Sequence, residues 1–135
     1  MSNNSKSIEE LENDYWKEES EYPTDLIQKC FKYRKIEISK LSVEQIRFLI
    51  SQKIGIEHLI QIALEKLEEN IIVEGELYEG DLLDSVSKVS TKYWNENLKY
   101  YQTLKNIVES KKEIIKTELG EKEFDRINER IKASC

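Results

Sequence analysis

The chain has 135 residues, 27 of them acidic and 21 basic, and a formal net charge of −6. A hydrophobic fraction of 39% and a charged fraction of 36% are typical of a globular protein with one core, not of a disordered chain or a membrane protein. Phosphate binding needs a basic face, so the acidic balance argues against a non-specific nucleic-acid-binding protein. It favours a basic protein partner instead.

The N-terminal residues are polar and lack the apolar stretch of a signal peptide. No apolar run exceeds three residues, as in Ile71–Val73, and such runs are too short to cross a membrane. We therefore expect a cytoplasmic protein with a disordered tail over residues 1–6 and a single helical domain over residues 7–135. Two cysteines, Cys30 and Cys135, have neither metal-ligand nor disulfide spacing, and we interpret them as a core residue and an exposed thiol.

Glycine and proline are scarce and fall between periodic segments, which predicts an all-α fold. Three N-terminal signals precede apolar stripes at helical spacing: the capping boxes Ser7–Glu10 and Ser42–Gln45, and the triplet Pro23-Thr24-Asp25. The apolar stripe of the first helix, which begins after Ser7, is predicted to continue through Tyr15 or Trp16. Gly55 is predicted to end the third helix.

The second half of the chain begins with a strongly amphipathic helix over Ile56–Asn70. Residues 71–80 contain two glycines and are predicted to form a loop. Asp81 is predicted to cap the following helix. A long helix over residues 95–119 and a last helix over residues 121–133 complete a compact bundle of six to seven helices.

Charge is unevenly distributed along the chain. Residues 56–84 contain nine acids and one lysine and carry −8, whereas residues 7–22, 23–55 and 85–135 carry −6, +4 and +3. One interpretation is that acidic and basic helices pack side by side and their charges pair. The other is that the −8 region presents a negative surface to a basic partner and speeds their association.

Few residues offer catalytic or metal-binding chemistry. The sole histidine, His58, lies within a predicted helix, and the chain has no zinc, calcium-loop or phosphate-loop motif. The pairs Glu74/Glu76 and Glu79/Asp81 could be imagined as a magnesium site, but a helix cap already explains Asp81. The sequence therefore predicts no catalytic residue, no metal site and no cofactor.

Several stretches are similar to the immunity proteins of bacterial contact-dependent growth inhibition (CDI), in one of their small helical, CdiI-type families. The similarity covers about residues 7–94. Its most specific part is Glu74-Gly-Glu-Leu-Tyr-Glu-Gly-Asp-Leu-Leu83, which resembles the family pattern E-G-D-x-Y-x-G-D-L-L with Glu76 where an aspartate is usual. The other similar stretches are Leu11–Trp16, Leu26–Lys35, Leu41–Gly55 and Ala63–Asn70, with departures from the pattern at Phe31 and Ile71.

The resemblance implies a toxin inhibitor and not an enzyme. Such a protein stays in the cytoplasm and binds, one to one, the C-terminal toxin domain of a cognate CdiA effector that a neighbouring cell delivers. Many of these toxins are nucleases with basic clefts, which an acidic inhibitor can block. The resemblance implies no direct contact with nucleic acid or membrane and no need for a homo-oligomer.

Within the matched motif we separate binding residues from structural ones. Carboxylates on a glycine-containing loop offer oxygens to lysine and arginine, and tyrosine is a common interface anchor. We therefore expect toxin contacts from Glu74, Glu76, Tyr78, Glu79, Asp81 and Asp84. We interpret the remaining motif residues as structural, together with Asp81 as a helix cap: Trp16, Gly55, Gly75, Gly80, Leu82 and Leu83.

Two other functions remain compatible with the residues alone. One is a helical adaptor or regulator that acts through protein–protein contacts and dimerises through the long C-terminal helix. The other is a small hydrolase that uses clustered carboxylates and a metal ion.

Overall fold

The computed structural model describes residues 5–16 and 24–133, so Pro23, Cys135 and residues 1–4 lie outside it. Within the described residues the all-α prediction is confirmed, with nine α-helices where the sequence predicted six to seven. None of these helices is long and apolar enough to span a membrane. The helices are α1 Ile8–Glu12, α2 Asp25–Arg34, α3 Val43–Ser51, α4 Ile56–Glu69, α5 Asp81–Ser87, α6 Thr91–Glu96, α7 Leu98–Ser110, α8 Lys112–Leu119 and α9 Glu121–Ala133.

Side-chain caps begin the first three helices where the sequence predicts them. The Ser7 hydroxyl accepts a hydrogen bond from the Glu10 amide at 3.2 Å, and the Glu10 carboxylate accepts one from the Ser7 amide at 3.0 Å. Ser42 and Gln45 form the same box at α3, and the Thr24 hydroxyl caps α2. These bonds satisfy amides that have no partner inside the helix.

The first helix is shorter than predicted. It ends at Glu12 because Asn13 has a left-handed backbone with φ of 51°, which cannot continue an α-helix. Tyr15 is therefore exposed and not part of an apolar helix stripe. The ring of Trp16 packs against the guanidinium of Arg34, with 4.4 Å between the ring centroid and Cζ, which fits a structural role for Trp16.

Gly55 begins α4 and does not end α3, which already ends at Ser51. Its φ of +64° favours glycine, and a Cβ there would lie 2.7 Å from Cδ1 of Ile8. A side chain at position 55 would therefore meet Ile8 of α1 in a backbone conformation that favours glycine.

The predicted long helix over residues 95–119 is wrong, because this segment contains two breaks. Asn97 separates α6 from α7, and its side-chain amide donates to the Tyr93 carbonyl at 2.9 Å, a local bond that competes with helix continuation. Lys111 separates α7 from α8. Leu98, the first residue of α7, is exposed.

One hydrophobic cluster joins the helices. Helix α4 packs on α3, α5 and α7, while α8 packs against α9 and α9 reaches α5. Trp94 and Tyr101 are buried within the cluster, and the Tyr101 hydroxyl donates to the carbonyl of Ile131 on α9. Cys30 is buried as predicted, and burial raises the pKa of its thiol, which suits a core residue. This core fixes α3 and α5, the two helices that frame the candidate site.

Candidate functional site

The candidate site is the loop over residues 70–80, which connects α4 to α5 beside α3. Asn70 ends α4 as predicted, but in an extended conformation, and its side-chain oxygen accepts from the Ile72 amide at 3.2 Å. The Ile72 carbonyl in turn accepts from the Gly80 amide at 3.1 Å, which brings the two ends of the loop together. The loop thus has its own closing hydrogen bonds.

Asp81 lies beneath this loop and holds it from inside. One carboxylate oxygen accepts from the Gly75 amide at 2.7 Å, and the other from the Leu77 and Tyr78 amides at 3.1 and 3.4 Å. The predicted cap role is wrong: Asp81 is the first residue of α5, and the cap position belongs to Gly80 with φ of +82°. The carboxylate therefore binds loop amides that precede the helix.

Glu44 on α3 supplies the remaining contact. Its Oε1 accepts from the Glu76 amide at 2.9 Å, so the four successive amides of residues 75–78 all donate to two carboxylates. A Cβ on Gly75 would lie 2.6 Å from the same Glu44 oxygen and 3.1 Å from Asp81 Oδ2. Glycine at position 75 is therefore needed for the close approach of the loop to both carboxylates.

Arg47 compensates the charge of these two acids. Its Nε and Nη2 lie 2.7 and 2.6 Å from the two Glu44 oxygens, and its Nε is 3.9 Å from Asp81 Oδ2. Hydrogen bonds from Arg47 hold the pKa of Glu44 below its usual value. The sequence analysis did not identify Glu44 and Arg47 as site residues, although their i, i+3 spacing at the start of a capped helix is typical of an ion pair.

A second network lies below Tyr78. The Tyr78 hydroxyl donates to Asp84 at 2.6 Å, while Arg130 from α9 and Lys88 contact the same carboxylate at 2.5 and 3.2 Å. Burial alone would raise the pKa of Asp84, but these three donors outweigh it and hold the pKa below the usual value. Although the Tyr78 side chain is partly exposed, its hydroxyl contacts Asp84 in a part-buried position, and this partial burial, together with the Asp84 carboxylate, raises the pKa of Tyr78 to about 12.

The structure divides the six expected toxin-binding residues into two groups. Glu74, Glu76, Tyr78 and Glu79 are exposed on the loop. Asp81 and Asp84 are only 1% and 5% exposed, and their carboxylates accept hydrogen bonds from other groups of the protein. Leu82 and Leu83 are fully buried in the core, which fits their structural interpretation.

Elsewhere, the described residues contain one group that could ligate a metal ion, Glu12, Glu57 and His58. His58 Nε2 lies 3.3 Å from the Glu57 carboxylate, but it makes no hydrogen bond. Both carboxylates are exposed, and Glu12 is ion-paired with Arg34 at 3.1 Å. A neighbouring guanidinium disfavours a cation, so this group does not displace the loop as the candidate site.

The fold and the loop together define a class: a small helical protein that presents a fixed acidic surface. The chain belongs to the family of CDI immunity proteins, whose family model matches residues 10–107. It therefore has an immunity role in contact-dependent inhibition and binds a cognate toxin partner. The match includes the whole acidic loop and both helices that hold it. No curated protein and no solved structure matches the chain significantly.

Proposed function

We propose that this protein binds the C-terminal toxin domain of its cognate CdiA effector in the cytoplasm, as a one-to-one complex, and neutralises it without catalysis. The toxin-facing surface is the exposed part of the loop, Glu74, Glu76, Tyr78 and Glu79. Asp81 and Asp84 contribute from below by fixing the loop and the Tyr78 ring.

The observation that carries the proposal is the contact of four loop amides with two largely buried carboxylates. These hydrogen bonds fix the loop backbone from which the exposed glutamate side chains extend before the toxin binds. Little ordering entropy is then lost when the toxin docks. Exposed carboxylates on such a support suit the lysine and arginine side chains of a basic partner.

A growth assay tests this surface. The toxin domain encoded beside this protein is expressed in a sensitive cell with the wild type or with a Glu76→Lys/Glu79→Lys variant. We expect the wild type to restore growth and the variant to protect poorly. A Glu68→Lys/Glu69→Lys variant makes the same charge change at exposed positions on α4 and should protect normally. Full protection by the loop variant would discard this surface.

We further propose that the toxin is a nuclease whose basic cleft receives the acidic loop in place of phosphate groups. The isolated toxin domain should cleave nucleic acid, and one equivalent of this protein should abolish the cleavage. Growth rescue without any nuclease activity of the toxin would refute the nuclease assignment and leave the immunity role intact.

A further inference from the structure

A groove of about 710 Å³ lies beside the acidic loop, between α3, α5 and the start of α6. Leu77 and Tyr78 form its loop edge, and Lys53 lies among its other lining residues. Ile50, Ile56, Val89 and Tyr93 contribute apolar side chains to the wall, and the remaining lining residues are polar or charged. The groove therefore combines apolar surface with charged groups, and it adjoins the charged surface described above.

The loop edge of this groove exposes two large apolar side chains in succession. Leu77 is 60% exposed and Tyr78 is 45% exposed. Their backbone amides are bonded to Asp81, so the loop holds both residues in place beside the groove. Apolar anchors beside a pocket, surrounded by charges, are the usual arrangement of an energetic hot spot in a protein interface.

Negative and positive charges lie at different parts of the groove. Asp81 and Asp84 line it but are compensated by Arg47 and Lys88. Glu76 and Glu79 do not line the groove, but they are exposed and flank Leu77 and Tyr78 in the sequence, so the loop beside this edge is acidic.

Lys53 lies elsewhere on the groove wall. It has a left-handed backbone with φ of 62° and an exposed side chain, and no ion pair to it occurs among the described residues. The groove therefore adjoins an acidic loop and offers a separate cationic group.

We propose that the groove receives a projecting segment of the toxin domain that carries a large apolar side chain between a basic and an acidic group. The apolar side chain packs between Leu77 and Ile56. The basic group faces the acidic loop, and the acidic group faces Lys53. This inference rests on the proposed function, and it adds an apolar anchor to the electrostatic contact.

Binding of the full-length protein to its toxin domain tests the groove, with affinity and dissociation rate measured at low and high salt. Leu77→Ala removes one of the two large apolar side chains of the loop edge, and we expect about tenfold weaker binding, mostly from faster dissociation. The loss should persist at high salt because it is not electrostatic. Leu98→Ala is the matched control, since Leu98 is 63% exposed and does not line the groove, and it should bind like the wild type.

Two further variants fill or recharge the groove. Ser85→Trp should block it, and Lys53→Glu should weaken binding more at low salt than at high salt. Circular dichroism and thermal melting show whether each variant is folded. If Ser85→Trp does not fold, Leu77→Ala still tests the groove, because Leu77 is exposed and its replacement should not disturb the fold. Wild-type affinity of folded Leu77→Ala and Lys53→Glu variants would overturn the groove proposal alone. Absence of toxin binding by the wild type would overturn the proposed function itself.

Discussion

Arg47 forms two hydrogen bonds with Glu44, of 2.7 and 2.6 Å, and both side chains are largely buried. The same Glu44 carboxylate accepts the Glu76 amide, so this pair joins α3 to the acidic loop. Asp81 lies 3.9 Å from Arg47 and accepts three further loop amides. One guanidinium therefore compensates the two carboxylates that determine the loop conformation.

Replacement of Arg47 tests this arrangement most directly. Arg47→Met would leave Glu44 and Asp81 charged, largely buried and without their cation, and should lower the free energy of unfolding by about 3 kcal/mol. Urea denaturation followed by circular dichroism measures the change. The matched control is Arg126→Met on α9, whose guanidinium binds Glu123 at the exposed surface and whose loss should have little effect. Equal effects of the two substitutions would contradict the central role of Arg47.

Asp81→Asn isolates the contact with the loop amides. The substitution keeps the shape but retains only one acceptor oxygen, whereas the present hydrogen bonds use both oxygens. Unsatisfied amides should cost about 2 kcal/mol of stability. Hydrogen exchange at the amides of residues 75, 77 and 78 should accelerate, while exchange in the core of α4 changes less.

The control for Asp81→Asn is Asp125→Asn, the same change at an exposed position on α9. It should leave loop exchange unaltered. Unchanged exchange in the Asp81 variant as well would show that the loop does not depend on this carboxylate in solution.

Local signals explain why much of the fold could be predicted from the sequence. A capping box joins residues three positions apart, so the starts at Ser7 and Ser42 follow from neighbouring residues alone. The apolar period identifies the buried face of α4 for the same reason. The breaks at Asn97 and Lys111 have no glycine or proline signal, and the continuous stripe concealed them.

The support of the loop could not be predicted because it depends on the tertiary fold. Glu44 and Glu76 are far apart in the sequence and meet only after α3 packs beside the loop. Asp81 follows a glycine at a helix start, which is also the pattern of a simple cap. Only the fold shows that Gly80 takes the cap position and that the Asp81 carboxylate binds loop amides. The sequence also does not show that Tyr78 is exposed and Asp84 is buried, because both belong to the same acidic segment.

The protein should lose stability at acidic pH because the Glu44 carboxylate becomes protonated. The pKa of Glu44 is lowered in the folded protein from its usual value of 4.5, so its charged form adds stability at pH values above 4.5. That contribution is lost as pH falls through the lowered folded pKa. We expect the free energy of unfolding of the wild type to decline below about pH 4.5. A Glu44→Gln variant should be less stable at neutral pH and decline less, and parallel pH profiles would contradict this assignment.

Alkaline titration should report the partly buried environment of the Tyr78 phenol beside Asp84. The pKa of Tyr78 is raised from 10.0 to about 12, chiefly by burial and then by its hydrogen bond to Asp84, so the neutral phenol adds stability below pH 10 that is lost as pH rises through 12. Ultraviolet absorbance of tyrosinate measures the transition, and Tyr78→Phe should remove one tyrosine that titrates near pH 12. Burial also raises the pKa of Tyr93 to about 12, so Tyr93→Phe should remove a second. If Tyr78→Phe removes a group that titrates near 10 instead, the phenol does not have this partly buried environment in solution.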